Sequence, residues 1–428
     1  MAGRTRARLI VSLVTLSLAA EVFGLVAYYI DTGALFYTHH KTYPELLPTP
    51  DNQLVVGEAV HPYFGPTHKP GTPFDIPQAL LATPETPSRV TTNNFGFVSP
   101  HDYPFQKTSD RQVIVGLFGG SVGLWFCQIG APRLVDDLQR APAFAGKEIV
   151  PLCFSHEGYK QPQEALVLTY FLAIGQRFDL VVNLDGFNDV ALATLNNERG
   201  LDISMPSAQH IEPLINLVNQ ATLTPDKLDS LATIFRDRRR LTSLAQTMTT
   251  NTFASVNFVL DRYYRSVQAS YVRELGRFNN LPSNPAGNTL IQVTPPTRSR
   301  AADVLYPDIA AVWTNGSVLM NEILAARDVP YFHFLQPNQY FTTRAFTPAE
   351  AATALNEASP YKASVEKGYP ALVDAAQTTL VGGKIRFFDA THVFDRERTP
   401  VYMDNCCHYT LTGNQLMADF IAKSILEN

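Results

Sequence analysis

The chain has 428 residues, of which 45% are hydrophobic, 17% charged and 11% aromatic, and its net charge is −5. That balance excludes the low-hydrophobicity, high-charge profile of a disordered chain, and the length accommodates one large α/β domain with additions. Basic residues gather only at the Met1–Arg8 tip and the Arg236–Arg240 run, so no clustered basic face exists for nucleic acid, and four cysteines are too few for a disulfide scaffold.

Leu9 to Ile30 is an apolar run preceded by Arg4, Arg6 and Arg8, about the twenty residues needed to cross a bilayer. Residues 1–30 therefore read as a cytoplasmic tip and a transmembrane signal-anchor, with everything after Asp31 on the far side. A signal peptide cleaved near Leu18-Ala19-Ala20 is the competing reading, but the apolar run continues past it to Ile30. Glu21 lies inside the run, where an ionisable group either pairs with another helix or stays protonated or snorkels. Export would place Cys127, Cys153, Cys406 and Cys407 in an oxidising compartment, where they can pair in a connectivity the sequence leaves open.

Residues 31–90 hold many prolines, among them Pro44, Pro48, Pro50, Pro62, Pro66, Pro70, Pro73 and Pro77. Each fixes φ and removes a donor, which predicts a stalk or a segment draped over the following domain. The domain at 91–428 opens with a β-branched run, Gln112 to Phe118, that predicts a buried strand. Similar runs recur at Glu148–Phe154, Phe178–Leu184, Val329–Leu335 and Ile385–Phe388. Helical patterns at Gln161–Gln176, Asp303–Arg327 and Pro348–Leu380 separate them, and an amphipathic helix ends near Leu426. Alternating strands and helices predict an α/β three-layer sandwich with a central parallel sheet. Residues 196–300 break the rhythm with helical patterns at Thr224–Gln246 and Thr252–Arg277, a helical insertion or lid. Arg236, Arg238, Arg239 and Arg240 fall on it and read as a solvated helix face.

The first strand ends in Gly119-Gly120-Ser121-Val122-Gly123, which puts Ser121 at the carboxyl edge of the sheet, where open α/β folds bind ligands. The segment also fits G-x-S-x-G, although a strand-to-helix turn wants glycine and a capping serine for structural reasons alone. His156-Glu157-Gly158-Tyr159 follows the second strand and Asp185-Gly186-Phe187-Asn188-Asp189 the third, at the same edge. A Gly158 N–H and an Asn188 amide there would supply donors to a developing oxyanion. Near the C-terminus, Asp404-Asn405-Cys406-Cys407-His408 offers a histidine with an acid close by, the parts of a general base and its orienting group.

In these blocks the sequence resembles the SGNH, or GDSL-type, hydrolase family. The counterparts are Gly119-Gly120-Ser121, Gly158, Gly186-Phe187-Asn188-Asp189 and Asp404 to His408. An anchor, Asn93 to Phe97 and Gly158-Tyr159-Lys160-Gln161-Pro162 are similar to its membrane-anchored bacterial branch. The resemblance implies a flavodoxin-like fold, a Ser121 nucleophile, His408 as general base and acid, and an oxyanion hole from Ser121, Gly158 and Asn188. Two positions depart from the family. Gly120 stands where it has aspartate, and Asn405 stands three before His408, with Asp404 four before. Either Asp404 reaches the imidazole through a local irregularity, or Asn405 orients it without a charge.

The expected function is a membrane-anchored, extracytoplasmic serine esterase, periplasmic or at the cell surface, for small acyl esters such as acetyl groups on envelope or exported polysaccharide. The rival readings are an inactive glycan-binding or scaffold protein of the same fold and a lipid acyl-hydrolase. No metal or organic cofactor is expected, since no CxxC pair or spaced Cys/His set occurs and His39-His40 lacks companion ligands. Cys406 and Cys407 read better as disulfide or packing residues than as a thiol nucleophile. Asn315-Gly316-Ser317 fits a glycosylation sequon within a predicted helix. His333 and Gln336-Pro337-Asn338, at the end of the fourth strand, either line a pocket or serve structure.

Overall fold

A computed structural model describes residues 2–39, 58–81, 88–211, 224–281 and 298–428. The chain forms two compact units, one from residues 1–57 and 215–293 and a larger one from 58–214 and 294–428.

The larger unit is built on a five-stranded parallel sheet of β5 (Gln112–Gly119), β6 (Glu148–Cys153), β7 (Leu180–Asp185), β8 (Tyr331–Leu335) and β9 (Arg386–Asp389), in the order β6-β5-β7-β8-β9. Each strand falls within about two residues of its expected position. Pro151 is tolerated inside β6 because that strand lies at the sheet edge, where a missing N–H costs no ladder bond. Helices Ala131–Arg140 and Leu411–Glu427 pack together, while Gln163–Ala173, Phe187–Glu198, Ala302–Ala325 and Lys362–Ala375 form a second connected layer. Between them the strands bury a continuous apolar core that includes Ile114, Leu117, Leu152, Val181, Leu184 and Phe334. This is the expected three-layer α/β sandwich.

The helix expected over Pro348–Leu380 is instead divided into Pro348–Ala354, Lys362–Ala375 and a wide turn at Ala376–Val381. Pro360 explains the break, since it lacks an N–H and disfavours helical backbone at Ser359.

Upstream of the sheet the larger unit carries two antiparallel pairs, β1 (Glu58–His61) with β2 (Gly65–His68) and β3 (Pro73–Asp75) with β4 (Arg89–Thr91). The Tyr159 hydroxyl donates to the Pro66 carbonyl at 2.7 Å, which ties β2 to the loop after β6. In the Asn93–Phe97 element, the Asn93 side-chain oxygen accepts both the Phe95 and Phe97 N–H groups at 3.0 Å. Residues 40–57 and 82–87 of the proline-rich segment lie outside the described residues.

The smaller unit consists of helices Ala2–Thr32, Pro225–Thr250 and Ala254–Asn280. The first contains Arg8–Thr32, with a mean hydropathy of 2.2, and is long and apolar enough to span a membrane. Its companions meet it and each other through Tyr28, Ile234, Leu241, Met248, Tyr264 and Tyr271. Glu21 has a defined partner: its carboxylate accepts the N–H groups of Ala254 at 2.6 Å and Ser255 at 3.1 Å. It thereby caps the otherwise unsatisfied start of the helix Ala254–Asn280. The arginine run lies on the helix Pro225–Thr250, where Arg240 faces Asp237 at 3.6 Å. His39 bonds the Tyr28 hydroxyl at 2.8 Å, and His40 lies outside the described residues.

Cys127 and Cys153 form a disulfide across a separation of 26 residues. Cys127 lies two residues beyond the helix Ser121–Trp125, and Cys153 ends β6, so the bond joins the first two site-bearing connections. By loop-closure entropy a bridge of this span contributes about 3 kcal/mol. Replacing both residues by alanine is expected to lower the unfolding free energy of the larger unit by about that amount in guanidinium titration. An unchanged midpoint would refute it.

Candidate active site

Ser121, Gly158 and Asn188 all sit just beyond the carboxyl ends of β5, β6 and β7. The strand order reverses direction between β5 and β7, the crevice where open α/β sheets receive ligands. Ser121 begins the helix Ser121–Trp125 with Gly120 as its cap residue, so its own N–H belongs to the first turn and has no partner within the helix. A Cβ at Gly120 would lie 2.1 Å from the Asn188 Nδ2 and 3.0 Å from the Tyr159 carbonyl. A side chain at 120 would have to displace the Asn188 amide.

The Asn188 amide donates one hydrogen to the Tyr159 carbonyl at 2.8 Å and keeps its second for another acceptor. Gly158 adopts a left-handed φ of +76°, and the His210 ring lies against its Cα. The loop around them is fixed from below by Asp189, which accepts the Gln161 N–H at 2.8 Å and the Gly186 N–H at 3.2 Å. Burial, helped by the nearby Asp185 charge, raises the Asp189 carboxyl well above the usual carboxylate range. Burial pulls the Lys160 ammonium down, and that group donates to the Ile203 carbonyl.

The C-terminal block forms a tight hairpin tip. Tyr402 bridges Tyr409, and the Met403 N–H donates to the His408 carbonyl at 3.0 Å. Within the tip, the Asp404 Oδ1 accepts the N–H groups of Cys406 at 2.9 Å, Cys407 at 3.0 Å and His408 at 3.3 Å. Its Oδ2 lies 2.5 Å from the His408 Nδ1, and the His408 Nε2 lies 2.8 Å from the Ser121 Oγ. Burial alone would raise the Asp404 carboxyl, but the hydrogen bond and charge of His408 and the backbone N–H groups hold it below its ordinary range. Of the two alternatives, the carboxylate on the imidazole is that of Asp404. Asn405 meets the site through its main-chain carbonyl, which accepts from the Tyr340 hydroxyl at 2.9 Å.

Three consecutive side chains after β8 pin this tip. The Asn338 amide donates to the Cys406 carbonyl at 3.1 Å, the Gln339 amide to the Asp404 carbonyl at 3.1 Å, and Tyr340 to Asn405. Behind them the buried Arg344 and Glu350 pair at 2.8 Å, and Glu350 also accepts the Val401 N–H at 2.8 Å. Of these residues only Asn338 is singled out by the sequence. Its side chain serves the tip, while the carbonyls of Gln336 and Pro337 accept the Tyr369 and Tyr409 hydroxyls.

His333 lies within β8, fully buried, with its Nε2 2.7 Å from the Asp185 Oδ1 and its Nδ1 2.8 Å from the Ser317 Oγ. It lines no pocket. In the sequon, Gly316 and Ser317 are buried within the helix Ala302–Ala325, while Asn315 is exposed on it. Cys406 and Cys407 are free thiols whose sulfurs lie 3.2 Å apart. Burial, reinforced by Cys406 and Asp404, pushes the Cys407 thiol well above its ordinary value, and a protonated thiol is a poor nucleophile.

The strand order and the placement of these blocks decide the architecture. The fold is a three-layer α/β sandwich with the candidate residues at the carboxyl edge of its parallel sheet. No protein-family model matches the chain, and no curated protein matches it. Among solved structures it is similar to a protein of Bacteroides fragilis NCTC 9343 provisionally described as an acylhydrolase, at 12% identity, 75% of this chain, 89% of that one and a TM-score of 0.31. It is also similar to a GDSL-like lipase of Bacteroides thetaiotaomicron VPI-5482, at 12% identity, 76% and 91% coverage and a TM-score of 0.32. Likenesses at TM-scores this low decide neither fold nor function, which rest on this chain's own strands and side chains.

A Cβ at position 158 would lie 2.4 Å from the His210 ring on a backbone with φ of +76°. Gly158→Ala is therefore expected to destabilise the larger unit by about 1–3 kcal/mol, read as a fall in melting temperature. Adding His210→Ala should restore the part due to collision and leave the part due to backbone strain. No recovery in the double variant would contradict the contact.

Proposed function

We propose that the chain is an SGNH-type serine hydrolase with Ser121 as nucleophile, His408 as general base and acid, and Asp404 as the group that orients and charges the imidazole. The observation that carries this reading is the unbroken chain of hydrogen bonds from Asp404 through His408 to Ser121, at 2.5 and 2.8 Å, at the carboxyl edge of the sheet. Ser121 Oγ attacks an ester carbonyl while His408 Nε2 takes its proton, and Asp404 stabilises the imidazolium. The developing oxyanion meets the Ser121 and Gly158 N–H groups and the second N–H of the Asn188 amide. The leaving alcohol takes the proton back from His408, and water or a sugar hydroxyl then resolves the acyl-enzyme.

The site acts outside the cytoplasm on small acyl esters, with acetyl groups on envelope or exported carbohydrate as the proposed substrate class. Arg4, Arg6 and Arg8 before an apolar helix support that orientation, as does the Cys127–Cys153 disulfide, a bond of oxidising compartments. The resemblance to the membrane-anchored branch supports the carbohydrate.

Kinetics on an aryl acetate test the assignment. Ser121→Ala and His408→Ala should each lower kcat by at least about 10³-fold, with the double variant no worse than either single one, because groups that act as a unit are not additive. Asp404→Asn should cost about 10⁴-fold and Asn188→Ala about 10²–10³-fold, whereas Asn405→Ala should stay within a few-fold of the parent. Activity that survives Ser121→Ala would refute the nucleophile. Faster turnover of long-chain than of acetyl esters would favour a lipid acyl-hydrolase instead.

A further inference from the structure

The loop that presents Gly158 also presents His156 and Glu157, and neither has a part in the proposed chemistry. Across from them stands His68 at the end of β2. One ring nitrogen of each histidine and one carboxylate oxygen of Glu157 all lie within 4.8 Å of one another. His68 Nε2 is 3.0 Å from Glu157 Oε2. A tetrahedral zinc ion with ligands at about 2.0–2.1 Å spaces its donor atoms about 3.3 Å apart, close to the His68–Glu157 separation.

The three groups are held in place by contacts outside the cluster. Tyr159 anchors Pro66 on β2 at 2.7 Å. Gly96 approaches the His68 carbonyl so closely that a Cβ there would lie 1.8 Å from it. His156 Nδ1 also lies 2.9 Å from the Glu157 carbonyl, the kind of backbone contact that orients a ligating imidazole. His156 is buried, while His68 and Glu157 are partly exposed, with the facing His68 Nε2 and Glu157 Oε2 atoms themselves buried.

We propose that His68, His156 and Glu157 form a site for a divalent metal of the zinc class, with three protein ligands and a fourth position for water. Two imidazoles and one carboxylate match the donor preferences of zinc rather than those of calcium or magnesium, which take oxygen ligands. A bound ion would clamp β2 to the Gly158 loop. Nothing in this inference depends on Ser121 being a nucleophile, because the cluster lies outside the Asp404–His408–Ser121 chain and is read by metal content.

The test uses the full 428-residue chain in detergent, without a polyhistidine tag, stripped by chelator and then equilibrated with zinc. One zinc ion per chain is expected, by elemental analysis and by equilibrium dialysis. Glu157→Gln and His68→Ala should each weaken zinc binding at least about 10-fold, with an unchanged far-UV circular dichroism spectrum showing that Glu157→Gln still folds. The second cluster that could hold a metal, Cys406, Cys407 and His408, is controlled by Cys406→Ser/Cys407→Ser, which should retain the zinc. Cobalt in place of zinc should give visible ligand-field bands without thiolate charge transfer. Retention of no metal by the parent, equal affinity in Glu157→Gln and His68→Ala, or loss of the metal in the cysteine double variant would each overturn the proposal.

Discussion

The carboxylate of Asp404 holds the site together, because each of its oxygens settles a different problem. One oxygen gathers three consecutive N–H groups, those of Cys406, Cys407 and His408. In so tight a bend those donors would otherwise go unpaired, at a cost of about 1–3 kcal/mol for each one buried. The other oxygen sits on the imidazole. The same group therefore shapes the hairpin tip and sets the tautomer and direction of His408. An asparagine at 404 could still accept the three N–H groups but would present no charge to the imidazole.

The tip is in turn referred to the sheet. Asn338, Gln339 and Tyr340 grip three successive carbonyls of residues 404–406, and they follow directly on β8. The Arg344–Glu350 pair, with both side chains fully buried, holds the approach to the tip. Breaking such a pair from one side leaves an uncompensated buried charge. On the other flank, Asp185 ties β7 to β8 and to the outer helix, through His333 at 2.7 Å and the Trp313 indole at 2.7 Å. Asp189 ties the β6 and β7 connections to each other. Satisfied buried polar networks of this kind rigidify and specify an arrangement. The proposed nucleophile and oxyanion donors thus lie on loops whose backbones are set by buried polar groups beneath them.

The five strands were legible because each is a β-branched or apolar run bounded by turn residues, and that signal is local. Ser121, Gly158 and Asn188 were legible because each follows a strand whose end the sequence marks, and His408 because it stands beside an acid just before the final helix. The role of Asp404 was not, since its reach depends on a hairpin closed by Tyr402 and Tyr409 rather than on helical spacing. Nor was the burial of His333, which rests on Asp185 from a neighbouring strand, or the break at Pro360 inside an otherwise periodic stretch. Glu21 had two readings until the start of the helix Ala254–Asn280 appeared beside it. His68 was passed over altogether: it lies far upstream in a proline-rich segment, and only the fold of β2 against the Gly158 loop brings it to His156 and Glu157.

The claim that Ser121 is an activated nucleophile is tested most directly by covalent capture. The folded protein would be reacted with a fluorophosphonate, and the adduct located by peptide mass mapping. A single phosphonyl group on Ser121, lost when His408 is replaced by alanine, is the predicted result. A folded protein that stays unlabelled with small and large probes alike, or carries its adduct on another residue, would contradict the account.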